Sequence, residues 1–128
     1  MKIKILSLCL VYLCMQVNSY ASYTGYQLLQ FYKEDRKMTE GDPSASQLQA
    51  GAFSGFVAAG TASLSFIRHL QIQETGWSIF KGWPKNVSIG QLVLVFGKYL
   101  EEHPEKLHEQ GLNLYVVCIK ENFPQLFQ

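Results

Sequence analysis

Residues 82–108 read GWPKNVSIGQLVLVFGKYLEEHPEKLH, and the fold follows from how this stretch divides. Ser88 fits a helix N-cap: its hydroxyl accepts from the backbone N–H three residues on, while the Gln91 side chain reaches back to the cap. Ile89, Leu92, Val93, Phe96 and Leu100 then recur at helical spacing, which predicts a helix to about Glu102. His103 precedes Pro104, which disfavours helical geometry in the residue before it and is favoured at the first position of a helix. A second helix is therefore expected to start at Pro104, and the run Leu114, Tyr115, Cys118 and Ile119 lies in the last helix of the chain.

Working outward, Ser44 with Gln47 offers another capping box and opens a long helix expected to reach His69 or Leu70. Its apolar face is read as Leu48, Ala52, Phe56, Ala59, Ser63 and Ile67. Gly51, Gly55 and Gly60 each weaken such a helix by up to about 1 kcal/mol relative to Ala, so they are read as points where a neighbouring helix comes close. Ala58, Ala59 and Ala62 extend that small surface. A membrane-spanning reading of residues 50–67 is weaker than soluble packing, given the Ser, Thr and Gly in the stretch. Further upstream, residues 22–32 form a short helix candidate with Leu28, Leu29 and Tyr32 on one side. Residues 33–43 are charged, end in Gly-Asp-Pro and read as a loop. The chain is thus expected to be all-α, one compact domain of about four main helices with a long second helix.

Residues 1–21 carry Lys2 and Lys4, an apolar run, and small residues at Ser19 and Ala21, the order of a signal peptide cleaved after Ala21. The apolar run, about a dozen residues, is short of the roughly 20 needed to cross a bilayer. The functional domain is then residues 22–128, in the periplasm. Without Lys2 and Lys4, the 11 Lys+Arg against 10 Asp+Glu become 9 against 10. A neutral chain has no basic patch for nucleic acid or a membrane surface, so neither is an expected partner. Cys9 and Cys14 leave with the signal, and Cys118 remains as the single cysteine. It reads as a small buried hydrophobe, with pairing between chains as the alternative. His103 and His108 are five apart, a poorer spacing for two ligands on one helical face than four. No metal or cofactor is expected, and no local catalytic motif is recognisable, although a triad assembled from distant residues needs none.

Residues 71–87 carry Trp77, Ile79, Phe80 and Trp83 among Glu74, Lys81 and Lys85, with Gly76, Gly82 and Pro84 interrupting regular structure. Aromatics on a connector either fold back onto the core or are displayed to a partner, where Trp and Tyr often form binding hot spots.

The order WP-x-x-V-S-x-G-Q-L-V from Trp83, then K-Y-L-E-E-H-P-E-K-L-H from Lys98, then an aliphatic helix closing in Glu121-Asn-Phe-Pro124, resembles the C-terminal half of the Rap/Tai-type immunity proteins. Gly25-Tyr-Gln-Leu-Leu29 and Gly55-Phe-Val-Ala-Ala-Gly60 resemble the family's weaker N-terminal landmarks. Members are small periplasmic helical proteins, several of which neutralise peptidoglycan amidases delivered by type VI secretion. The resemblance implies an immunity protein that does no chemistry itself and occludes an amidase active site. It also implies a projecting loop, for which Glu74, Trp77, Phe80, Lys81 and Trp83 are the candidate partner-binding residues, and it is compatible with a homodimer. Members commonly carry two disulfide bridges. The matching positions here are Tyr32 with Phe53 and Gly82 with Gln125, so both partners of each bridge are missing together, and an aromatic pair at Tyr32 and Phe53 would replace a cross-link with buried area. Two other classes stay open: a periplasmic chaperone or structural binding protein on the same helical module, and a small hydrolase that would need His69, His103 or His108.

Overall fold

A computed structural model describes residues 23–128; the expected signal peptide, residues 1–21, lies outside the described residues. Four α-helices carry the fold, and no strand runs among the described residues. Helix α1 spans Gly25–Thr39, with Thr24 as its N-cap in a capping box with Gln27. The orphan N–H groups of its first turn are met from across the chain: Gly25 N donates to Glu109 O at 3.1 Å and Tyr26 N to Leu107 O at 3.0 Å. The helix runs well past Tyr32, so residues 33–39 are helical where a loop was expected. Their charges are placed at helical spacing, with Lys37 on Glu34 at 2.7 Å and Arg36 on Glu40 at 3.6 Å, and Arg36 and Lys37 suit the carbonyl end of a helix.

Helix α2 spans Gln47–Thr75 and is capped by Ser46, not Ser44. Ser44 is taken up in the preceding turn, where its N–H donates to Asp42 Oδ1 at 2.8 Å, and Glu34 Oε2 receives the Ser46 N–H at 2.7 Å. The helix also outruns the expected His69 or Leu70, because its stop signal is Gly76: at φ 72° this residue takes the left-handed geometry and returns its N–H to Ile72 O at 2.9 Å. The buried face is Ala50, Phe53, Phe56, Val57, Gly60 and Leu64. It is displaced from the face read in the sequence by about one residue's rotation, sharing only Phe56 with it. Leu48 is 84% exposed and Ile67 48%. The cause is composition: α2 is apolar or small on several sides, with a mean hydropathy of 1.4 over its most apolar window. By length and composition alone it would also cross a membrane, but the face it buries here is the core of the bundle.

Helix α3, Ile89–Glu102, starts on the expected box, with Gln91 N donating to Ser88 Oγ at 3.2 Å and Ser88 N to Gln91 Oε1 at 2.9 Å. After it, Pro104–Lys106 forms only one 3-10 turn, and α4 begins later, spanning Gly111–Asn122. Leu107 is buried, and the Leu107 and Glu109 carbonyls serve the start of α1, which holds this segment out of a continuing helix.

Phe96 of α3 is the hub of the core. Phe53 stacks on it at 5.8 Å between ring centroids, Phe56 at 6.1 Å, and Tyr115 of α4 meets it edge-on at 5.2 Å. Tyr32 reaches the same cluster through Phe53, ring to ring at 5.2 Å, the aromatic pair expected at these two positions. Two glycines admit the large rings. A Cβ on Gly97 would collide with the Tyr32 ring, and one on Gly60 would lie 2.8 Å from Tyr115 Cδ1. Gly51 and Gly55 face open space, so only Gly60 of the three serves close approach. Cys118 is fully buried beneath α3, and burial pushes its thiol up to about 12. Such a thiol is not a nucleophile at neutral pH.

Candidate functional site

The connector between α2 and α3 is an anchored, extended segment. Phe80 pairs with Phe127 in an isolated antiparallel bridge, Lys81 N donates to Leu126 O at 2.7 Å, and Gln128 N donates to Ile79 O at 2.9 Å. Extended backbone alternates its side chains, and the segment does so here. Ser78 and Phe80 are buried at 4% and 3%, whereas Trp77, Ile79 and Lys81 face outward, the first two at 52% and 49% exposure.

Two glutamines fix this geometry. Gln71, one turn before the end of α2, accepts from Ser78 Oγ at 2.7 Å and from Ile79 N at 3.3 Å. Gln128 of the tail accepts from Trp77 Nε1 at 2.9 Å and donates through Nε2 to Ser78 O at 3.0 Å. Trp83 turns inward against Phe80, with ring centroids 5.1 Å apart, and its indole N–H donates to Thr61 O at 3.1 Å. Gly82 and Gln125, the second expected pair, each neighbour one end of the Lys81–Leu126 hydrogen bond, so the tail is held to the connector by backbone and aromatic contacts.

The five candidate residues therefore divide. Phe80 belongs to the core, and Trp83 is a half-buried anchor. Trp77 and Lys81 are displayed on the connector, and Glu74 is exposed on the last turn of α2. Gln71, Gln128 and Arg68 were not picked out from the sequence. Arg68 lies beneath the connector with its side chain against Gly82, a position at which a Cβ would come within 3.3 Å of Arg68 Nε. Nothing local announces Gln71 and Arg68, which are ordinary polar residues near a helix end; their role comes from the way the connector folds back.

Elsewhere, His103 Nδ1 pairs with Glu105 Oε1 at 3.0 Å and its ring lies 4.3 Å from that of Tyr99, while His69 and His108 are exposed. The bond to its own backbone N–H and the contact with His103 hold the Glu105 carboxyl below its usual range. Among the described residues no three His, Cys, Asp or Glu side chains gather into a metal-binding group. Tyr115, fully buried, shares a 2.6 Å hydrogen bond with Thr61 Oγ1, and burial raises its phenol to about 12. No family model, curated protein or solved structure matches the chain.

Proposed function

We propose that this chain is a binding domain that does no chemistry itself, that it acts in the periplasm, and that its connector docks into a protein partner. The observation that carries the reading is the alternation at residues 77–81: two large apolar side chains, Trp77 and Ile79, stand in solvent on a backbone pinned by Gln71, Gln128 and the buried Phe80. Displayed apolar groups on a rigid segment lose little conformational freedom on binding, which is what a hot spot requires. The resemblance of residues 83–124 to immunity proteins names the partner class, a peptidoglycan amidase toxin whose active site the connector occludes. The test is peptidoglycan hydrolysis by an amidase that this protein captures from periplasmic extract, measured with and without the purified protein. Stoichiometric inhibition that Trp77→Ala with Ile79→Ala abolishes supports the reading; hydrolysis at an unchanged rate contradicts it.

One observation favours the second reading, a periplasmic chaperone. Leu48, Phe66 and Ile67 on α2 are 84%, 40% and 48% exposed, scattered apolar side chains outside the connector that would suit many weak clients. Suppression of the aggregation of unrelated proteins, retained in the Trp77→Ala, Ile79→Ala variant, would favour it.

A further inference from the structure

Two adjoining clefts share Arg68 as a wall. One, of about 330 Å³, lies between Ser65, Arg68, Lys81, Gly82 and Trp83. The other, of about 210 Å³, extends from Arg68 past Ile72 to Trp77. Arg68 Nε is buried there and has no hydrogen-bond partner. Among the described residues, no carboxylate lies within 4.0 Å of Arg68 or of Lys81. Gly82, at φ 113°, lets the backbone pass directly over the guanidinium, and a side chain at that position would be strained and would press on Arg68. A buried donor without an acceptor is unfavourable in the free protein, and two neighbouring cations without an acid are complementary to an anion.

We propose that Arg68 and Lys81 receive the carboxylate of an acidic side chain from a protein partner, with an adjacent apolar residue of that partner resting on Ile72 and Trp77. The proposal rests on the binding function stated above and adds the chemistry the partner must present. The planar fork of Arg matches a carboxylate, and the walls beside it are aromatic and aliphatic. A carboxylate with one charge suits the place better than a dianionic phosphate, because Gly76 at the carbonyl end of α2 lines the smaller cleft and that negative pole disfavours each added charge.

The experiment is an NMR titration of the purified, ¹⁵N-labelled protein with acetyl-Leu-Glu-amide, beside acetyl-Leu-Gln-amide and inorganic phosphate. The Arg68 Nε–H signal and the Trp77 and Trp83 indole signals are expected to move with the Glu peptide, and affinity to fall about tenfold or more with its Gln isostere. Lys81→Met, a change at an exposed side chain, and Arg68→Gln are each expected to weaken the Glu peptide and leave the Gln peptide unchanged. Equal response to both peptides, tighter response to phosphate, or no movement up to the solubility limit of the peptide overturns the proposal. The two readings fail separately. Amidase inhibition undiminished by Lys81→Met and Arg68→Gln removes the cleft and leaves the binding function. A Glu-selective titration by a protein that inhibits no amidase removes the toxin and leaves the cleft.

Discussion

Three glycines of α2 that look alike in sequence are expected to respond differently to alanine. An exposed Gly→Ala change inside a helix stabilises by up to about 1 kcal/mol through backbone entropy. At Gly51 and Gly55 an added Cβ meets nothing within 4 Å, so that gain stands in full. At Gly60 the same Cβ would sit 2.8 Å from both Tyr115 Cδ1 and Cε1. The ring has nowhere to retreat: it is 0% exposed, edge-on to Phe96 at 5.2 Å, and tethered by its hydroxyl to Thr61 Oγ1 at 2.6 Å. Overpacking of this kind costs about 1–3 kcal/mol, which cancels or exceeds the propensity gain. With about 4–8 °C per kcal/mol in a domain of this size, Gly55→Ala is expected to raise Tm by several degrees and Gly60→Ala to lower it or leave it unchanged. Thermal unfolding followed by far-ultraviolet circular dichroism reads both. In a Tyr115→Leu background the Gly60→Ala penalty shrinks, because the colliding atoms are gone. A Gly60→Ala melting point raised as far as that of Gly55→Ala would refute the packing of α4 on α2 described here.

Other expectations concern the connector and the titrating groups. Phe80→Ala is expected to destabilise by about 3–5 kcal/mol in urea unfolding, while Trp77→Ala costs under about 1 kcal/mol, because only the first ring is in the core. Cys118 is expected to react with an aromatic disulfide at pH 8 only as fast as the domain opens, so its labelling rate rises steeply with urea; rapid labelling of the native protein would contradict its burial. Tyr115 and Cys118 have folded pKa values of about 12, above the ordinary 10.0 and 9.0. In the unfolded chain Cys118 ionises as pH approaches 9.0 and Tyr115 as it approaches 10.0, while both stay neutral when folded, so their contribution is complete below about pH 8 and is lost as pH rises toward 12. That loss reaches about 2–3 kcal/mol by pH 10.5, and Tyr115→Phe with Cys118→Ala is expected to flatten it in urea midpoints taken at pH 8 and 10.5.

At the acid end, the Lys37 and Ser46 hydrogen bonds hold Glu34 below the usual carboxylate range. The stability Glu34 adds is present above its unfolded pKa and disappears as pH falls through the folded one, so Glu34→Gln is expected to reduce the acid sensitivity of Tm.

The sequence reading succeeded where the signal was local or strongly periodic, and failed where distant partners decide. The Ser88 box, the α3 face around Phe96 except for Ile89, which is 38% exposed in the first turn, and the burial of Cys118 were legible from spacing and residue type. The end of α1 was not, because a charged run reads as a loop until its i,i+3 and i,i+4 pairs are placed on a helix. The face of α2 was ambiguous because several of its sides are apolar or small, and only the rings of Tyr115 and Phe96 select one. Pro104 did open a turn, but the carbonyls of the following residues were committed to α1. For the connector, residue types identified the segment but not which side chains face out. That division is made by Gln71 and Gln128, which reach it from the end of α2 and from the tail.

The separation of anchors from displayed groups defines the decisive measurement. Substituting Trp77, Phe80 and Trp83 together would remove core as well as surface, so the informative variant is Trp77→Ala with Ile79→Ala, whose side chains are both about half exposed. The protein and this variant, matched in Tm, are used as bait in periplasmic extract. The account predicts one dominant peptidoglycan hydrolase held by the first and lost by the second. Capture of no hydrolase, or capture indifferent to the two substitutions, would contradict it.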